Sequence, residues 1–331
     1  MKRIPPARWA PEDGVTIYPI ERLGNQLFTW AAGLSQARRL GCPLYVSLGF
    51  YRQAPQRSYE YHYSLDSFDS GLVVCDNPAA HNPIFRGLYP MGRAAGLIRR
   101  LGSRAPANLF VERSFAYDER IEEVRPGVTL LGYFQSWRYF ADVLDEVKER
   151  LSALVAPSPW YETMCREIAP GGGAIVLHLR RTDYLDPEVR AFHGVATRAY
   201  YARALRHLRA LGMSGEVYVM SDALEASMAE LEGLAELTPI DPPRGTNPIE
   251  SLLVLARADA LVAGNSSFSW WGGVLGERPD RPVIAPRPWF SAPVDTRDLL
   301  LPAWLTLDRE HDDVRARGRD RHSSAPHNAP V

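Results

Sequence analysis

Three polar clusters in this sequence each come directly after a short apolar run. Arg180, Arg181, Thr182 and Asp183 follow Ala174–Leu179, Ser221 and Asp222 follow Val217–Met220, and Gly264, Asn265, Ser266 and Ser267 follow Ala260–Ala263. If the runs are parallel strands, all three clusters share one rim of one sheet, beyond the carboxyl ends where open α/β sheets bind ligands. Arginine offers phosphate oxygens a planar, bidentate, permanently charged partner. A Gly-Asn-Ser-Ser turn ahead of a helix at Phe268 adds backbone N–H groups and the positive end of a helix dipole. Together they suit a diphosphate and its stabilisation as a leaving group. The sequence has no Asp-x-Asp triplet for a metal clamp, so the arginine is expected to replace the cation. Each residue also has a plainer role: a surface ion pair for Arg180 and Arg181, a helix cap for Asp222, Ser266 or Ser267, core packing for Trp270 and Trp271.

The elements that would position these residues alternate. Ala174–Leu179, Val217–Met220, Leu237–Ile240, Ala260–Ala263 and Pro282–Ala285 read as strands, with helices over Tyr200–Leu211, Leu224–Leu234, Pro248–Ala256 and Phe268–Leu275. That alternation predicts a parallel sheet covered on both faces. Nearer the N-terminus, a strand at Val15–Pro19 and a loop at Arg22–Gln26 lead to a helix over Leu27–Leu40. Its apolar residues keep a 3.6-residue period, Gly41 closes it, and a strand resumes at Pro43–Val46. The stretch 157–173, rich in proline and ending in three glycines, reads as a boundary between halves. The expected architecture is α/β and GT-B-like, two Rossmann-like halves with a cleft between them. Residues 14–157 form the acceptor-side half and 172–308 the nucleotide-binding half, with 1–13 and 309–331 as polar tails.

A chain of 331 residues with 46% hydrophobic and 23% charged residues suits one large or two medium folded domains. A formal net charge of −1 excludes a basic nucleic-acid binder. Cys42, Cys75 and Cys165 are too few and too scattered for a disulfide framework. With no apolar run long enough to span a bilayer, the expected location is cytoplasmic, or peripheral to the inner membrane. The basic stretch Met91–Leu101 would serve the peripheral case as an amphipathic surface helix, against the plainer reading of a packed structural helix. An alanine- and arginine-rich composition suits a GC-rich bacterial genome, with surface polysaccharide assembly as a setting.

Four stretches resemble glycosyltransferase family 11, the bacterial and animal α-1,2-fucosyltransferases. They are RLGNQLFTWAAGLSQARRLGCPLYV (22–46), GYFQSWRYF (132–140), HLRRTDY (178–184) with His193-Gly194 and YYARAL behind it, and ADALVAGNSSFSWWGGVLGERPDRPVIAPRPWF (258–290). The resemblance implies a GT-B-like fold, a GDP-fucose donor with no further cofactor, inversion at the fucose anomeric carbon, and acceptors ending in galactose. It implies that Arg180 pairs with the β-phosphate, that Arg181 builds the loop with Asp183, and that His178, Asp222, Asn265, Ser266 and Ser267 complete the donor side. Asp259 stands where related α-1,6 enzymes carry a guanine-reading acid, and Asn25, Gln26 and His193 would lie on the acceptor side. Arg22 and Thr182 occupy positions where the family usually has glycine. An inverting transfer also needs a proton acceptor near the attacking hydroxyl. Asp183, Asp186, Glu188 and His193 qualify, with Asp183 and Glu188 favoured. The competing readings are a fucosyltransferase of α-1,6 or protein-O linkage, and a non-catalytic GDP-sugar or glycan-binding protein.

Overall fold

A computed structural model describes residues 12–53, 61–75, 108–154, 156–182 and 187–310. Met91–Leu101, Asp183 and Asp186 lie outside the described residues. Two parallel sheets form the molecule. The first has the order β3-β2-β1-β5-β4, from β1 (Val15–Ile17), β2 (Leu44–Ser47), β3 (Val73–Cys75), β4 (Leu109–Val111) and β5 (Thr129–Leu131). The second has the order β11-β10-β9-β6-β7-β8, from β6 (Ile175–Leu179), β7 (Val217–Ser221), β8 (Leu237–Ile240), β9 (Ala260–Val262), β10 (Val283–Arg287) and β11 (Leu305–Asp308). The central strands are buried without an alternating pattern, as a sheet covered on both faces requires. The expected two-sheet α/β architecture is therefore present.

In the first half, helix α1 (Leu23–Leu40) starts a full turn earlier than its apolar period predicts, so Asn25 and Gln26 lie in its first turn and not in a loop. Gly24 and Asn25 are weak helix formers and hide that turn in the sequence. Gly41 ends α1 with left-handed backbone (φ 62°). Short helix α2 (Gly49–Gln53) follows β2, and helix α3 (Leu144–Ser152) closes this half. The predicted boundary stretch contains helix α4 (Pro159–Glu167), capped by Ser158, whose hydroxyl and N–H are both held by Glu250. The second half continues with α5 (Pro187–His193), α6 (Arg198–Ala210), α7 (Leu224–Leu231), α8 (Pro248–Arg257) and α9 (Ser267–Leu275). Among the described residues, no helix is long and apolar enough to cross a membrane.

The halves are joined by aromatic packing. Trp270 and Trp271 of α9 are buried against Phe28 of α1 (ring centroids 4.4 and 5.1 Å) and against Phe140. Trp271 Nε1 donates to the Gly24 carbonyl (3.1 Å). The tryptophan pair is thus core, as its plainer reading held, and it presses the start of α1 onto the start of α9.

Candidate active site

Residues that follow the carboxyl ends of β1, β4 and β5 meet residues that follow the carboxyl ends of β6, β7, β9 and β10. On the second-sheet side, Asp222 is the hub. Its carboxylate pairs with Arg180 Nε (3.1 Å), accepts from the Arg181 N–H (2.7 Å) and from the Thr182 hydroxyl, and lies 3.9 Å from Arg22 Nη1 across the seam. Burial pushes this carboxyl up, but Arg180, Thr182 and the Arg181 N–H outweigh it and hold it below the usual carboxylate range. Asp222 therefore fixes the loop after β6 and aligns the Arg180 guanidinium; it does not cap a helix.

Arg181 serves a different end. Its guanidinium binds Glu230 of α7 through two contacts (2.8 and 2.9 Å) and the Ala196 carbonyl (2.9 Å), which clamps the loop onto the sheet's helical layer. His178, in β6, is 6% exposed, with its ring stacked on Phe268 at 5.6 Å. Burial, with Arg180 and Arg181 nearby, lowers it to about 4 against the pull of Asp222, so the ring is neutral at neutral pH. Its Nδ1 is buried without a hydrogen-bond partner.

Ser266 caps α9 by accepting from the Phe268 N–H (3.2 Å). Asn265 is buried, and its Nδ2 donates to the carbonyls of His193 (2.9 Å) and Gly194 (3.1 Å), tying the end of α5 to the start of α9. The His193 ring packs on Phe192 and Phe290. Glu188 is exposed near the start of α5.

Asp259 needs correction. It precedes β9, at the amino end of the sheet, and accepts from the N–H groups of Gly171 and Gly173 and from Arg278. It lies at the opposite end of its strand from Asn265 and Ser266, so it cannot read a base bound with its diphosphate at the carboxyl-end rim. Arg309, assigned by sequence to the tail, is also corrected. It is fully buried, and its guanidinium donates to the His193 carbonyl (2.8 Å) and the Ser291 hydroxyl (2.6 Å). Gly194 (φ 65°) leaves it room, since a Cβ there would fall 2.4 Å from Arg309 Cζ.

On the first-sheet side, Gln26 is buried with its amide saturated: Nε2 donates to the Glu21 and His62 carbonyls and Oε1 accepts from the Ser64 N–H. It is a structural tie and cannot also line a cleft without breaking these bonds. Asn25 is half-buried and bridges Glu21 (2.6 Å) and Gln135 (2.8 Å). Sequence reasoning missed Glu21, Tyr133, Gln135 and Glu112. Glu112 follows β4, is buried, and accepts from the N–H groups of Tyr133 and Phe134 (2.8 Å each) through Oε2. Burial pushes its carboxyl up to about 8 against the pull of those donors. A raised folded-state value means stability that is full below the ordinary 4.5 and lost as pH rises through about 8. Thermal unfolding of Glu112→Gln beside wild type will check this. The wild type is expected to lose up to about 1.4 kcal/mol per pH unit relative to the variant over that window. Parallel curves would contradict it.

Residues 128–308, more than half of the chain, match the model of glycosyl transferase family 11. The chain belongs to that family. This glycosyltransferase is 24% identical over 278 residues to an alpha-1,2-colitosyltransferase of Escherichia coli, a match spanning 81% of the chain and 90% of the relative. It is 23% identical over 193 residues to the O-antigen biosynthesis glycosyltransferase WbnK of Escherichia coli, over 56% of the chain and 62% of the relative. Among solved structures it aligns with the fucosyltransferase NodZ from Bradyrhizobium at a TM-score of 0.48 and 14% identity, over 80% of the chain and 93% of NodZ.

Proposed function

We propose that this family 11 glycosyltransferase moves L-fucose from GDP-β-L-fucose to the 2-hydroxyl of a terminal galactose on a glycan, with inversion and without a metal. The observation that carries this reading is the rim after β6, β7 and β9. There Arg180 is aligned by Asp222 beside the N-terminus of α9, with His178 buried behind it. A diphosphate seated on that rim receives bidentate charge from Arg180 and backbone N–H groups from the start of α9. Both strengthen as the bond to the sugar breaks and negative charge grows on the departing GDP. Asp222, Ser266 and Ser267 support this wall, and Asn25 and His193 face the acceptor.

The α-1,2 linkage is supported by the similarity to the alpha-1,2-colitosyltransferase, which also makes colitose the donor sugar to compare with fucose. Membrane association, a cytoplasmic setting and surface-polysaccharide acceptors belong to the same proposal. Proton removal from the acceptor hydroxyl falls to Asp183 or Glu188 if the donor loop supplies the base, and to the acceptor wall if it does not.

The test is GDP release from GDP-fucose and GDP-colitose, with and without a β-galactoside. Release that requires the galactoside supports transfer; binding of GDP-sugar with no release under any condition would mark a binding protein. The same assay in excess EDTA is expected to run at the untreated rate, because arginine and a helix terminus carry the leaving-group charge. Loss of activity on chelation, restored by Mn²⁺ or Mg²⁺, would contradict the arginine's role.

A further inference from the structure

The wall that faces the donor rim carries a carboxylate for which the donor chemistry has no use. Glu21 follows β1 with left-handed backbone (φ 60°), and Phe134 follows β5 in the same region (φ 52°); these are the non-glycine residues of positive φ among the described residues. Such a residue costs about 1–3 kcal/mol and persists where its surroundings over-determine it. Here they do. The Tyr51 hydroxyl (3.1 Å) and Gln26 Nε2 (3.0 Å) donate to the Glu21 carbonyl. The Tyr133 hydroxyl donates to Glu21 Oε1 and Asn25 Nδ2 to Glu21 Oε2, each at 2.6 Å. Both donors are themselves fixed, Tyr133 by its N–H on Glu112 and Asn25 by Gln135. Glycine would meet a mere turn at lower cost; the arrangement instead immobilises a carboxylate.

Its position is bracketed by contacts that cross the seam. On one side the next residue, Arg22, reaches Asp222. On the other, the Tyr133 ring stacks on Phe115 (5.7 Å), which meets Phe290 (4.8 Å) and Phe192 (6.5 Å) of the second half. Glu21 thus lies on the first-half side of the seam, between a contact to the residue that holds Arg180 and the Phe115 aromatic contacts. On its own side Tyr133, Asn25, Tyr51 and Gln26 hold it and Glu112 lies behind Tyr133, while the neighbouring Arg22 reaches across the seam to Asp222, the partner of Arg180.

We propose that Glu21 is the catalytic base of the transfer, the group that orients the acceptor hydroxyl and takes its proton. This rests on the transfer reading above. The hydroxyl oxygen bonds to the anomeric carbon as the bond from that carbon to the β-phosphate oxygen breaks. GDP leaves with the electron pair, and the hydroxyl proton passes to the Glu21 carboxylate and then to water. Asp222 is unsuited, because its pair with Arg180 holds its proton affinity down.

The test uses the full chain with a donor and galactoside that the wild type turns over, comparing Glu21→Gln, Asp183→Asn, Glu188→Gln and Tyr133→Phe. Glu21→Gln is expected to lose about 10²-fold or more in kcat with donor affinity unchanged, and the two donor-loop variants far less. Tyr133→Phe removes a hydrogen bond to the charged carboxylate, so the acid limb of its kcat/KM profile is expected to move to higher pH. Near-wild-type kcat in folded Glu21→Gln would overturn the proposal, as would an unmoved acid limb in Tyr133→Phe, which decides the matter if Glu21→Gln does not fold. No transfer from GDP-fucose by the wild type would sink the donor assignment alone, since the variants are read with the GDP-sugar the wild type accepts.

Discussion

Arg180→Ala is expected to lose about 10²–10³ in kcat while the protein stays folded. The side chain is the cation that the geometry aims from the end of β6, with Nε on Asp222 at 3.1 Å. In the proposed transfer, removing it leaves the charge that develops on the leaving GDP to the start of α9. The fold should survive, because Asp222 keeps the Thr182 hydroxyl and the Arg181 N–H, and Arg181 keeps Glu230. Arg180→Lys should rescue little, since an ammonium cannot hold Asp222 through one nitrogen and a phosphate through others in the fixed plane of a guanidinium. Steady-state kinetics with a circular-dichroism check of folding decides it. Wild-type turnover in a folded alanine variant would remove Arg180 from the mechanism.

Gly24→Ala should damage both stability and catalysis. A Cβ on Gly24 would lie 2.5 Å from Ser267 Oγ and 2.7 Å from the Phe268 backbone N. The hydroxyl can rotate away; the backbone nitrogen at the start of α9 cannot. Relief requires the starts of α1 and α9 to separate, which stretches the Trp271 bond to the Gly24 carbonyl. Overpacking of this kind costs about 1–3 kcal/mol. The same separation draws Glu21 and Asn25 away from Arg180, and a displacement of about 1 Å in a reacting pair can cost about 10²-fold in rate. The expected result is a lowered Tm together with a kcat/KM reduced by about that factor. An alanine variant with native Tm and native kcat/KM would show that the two walls do not need this close approach.

The second half was the legible part of this sequence, for a physical reason. Its central strands are buried on both faces, so Ile175–Leu179, interrupted only by His178, and Val217–Met220 read as apolar runs, and polar rim residues follow directly. Arg180, Asp222 and Ser266 could be placed from that alone. The three-residue strands Leu109–Val111 and Thr129–Leu131 are not seen, since, unlike Val15–Ile17 and Ala260–Val262, neither is followed by an α-helical period that would mark its end. The contacts of the first-sheet wall stayed hidden because they are long-range pairs. Tyr133 holds Glu21 from 112 residues away and Gln135 holds Asn25 from 110, with nothing local to mark either. Arg309 sits in a polar run that resembles a tail, and only the converging carbonyls and hydroxyl show why its charge is buried. Asp259 misled by its motif: the resemblance pointed to the acid, while the strand's direction puts it at the wrong end.

Transfer to the galactose 2-hydroxyl with inversion can be read from the product itself. GDP-β-L-fucose is incubated with a glycan ending in β-galactose, and the purified product is analysed by NMR. A single new fucose of α configuration is expected, joined to C2 of the galactose and formed in equal amount with GDP. A β-configured product, a bond to another carbon, or GDP release that ignores the galactoside would contradict it.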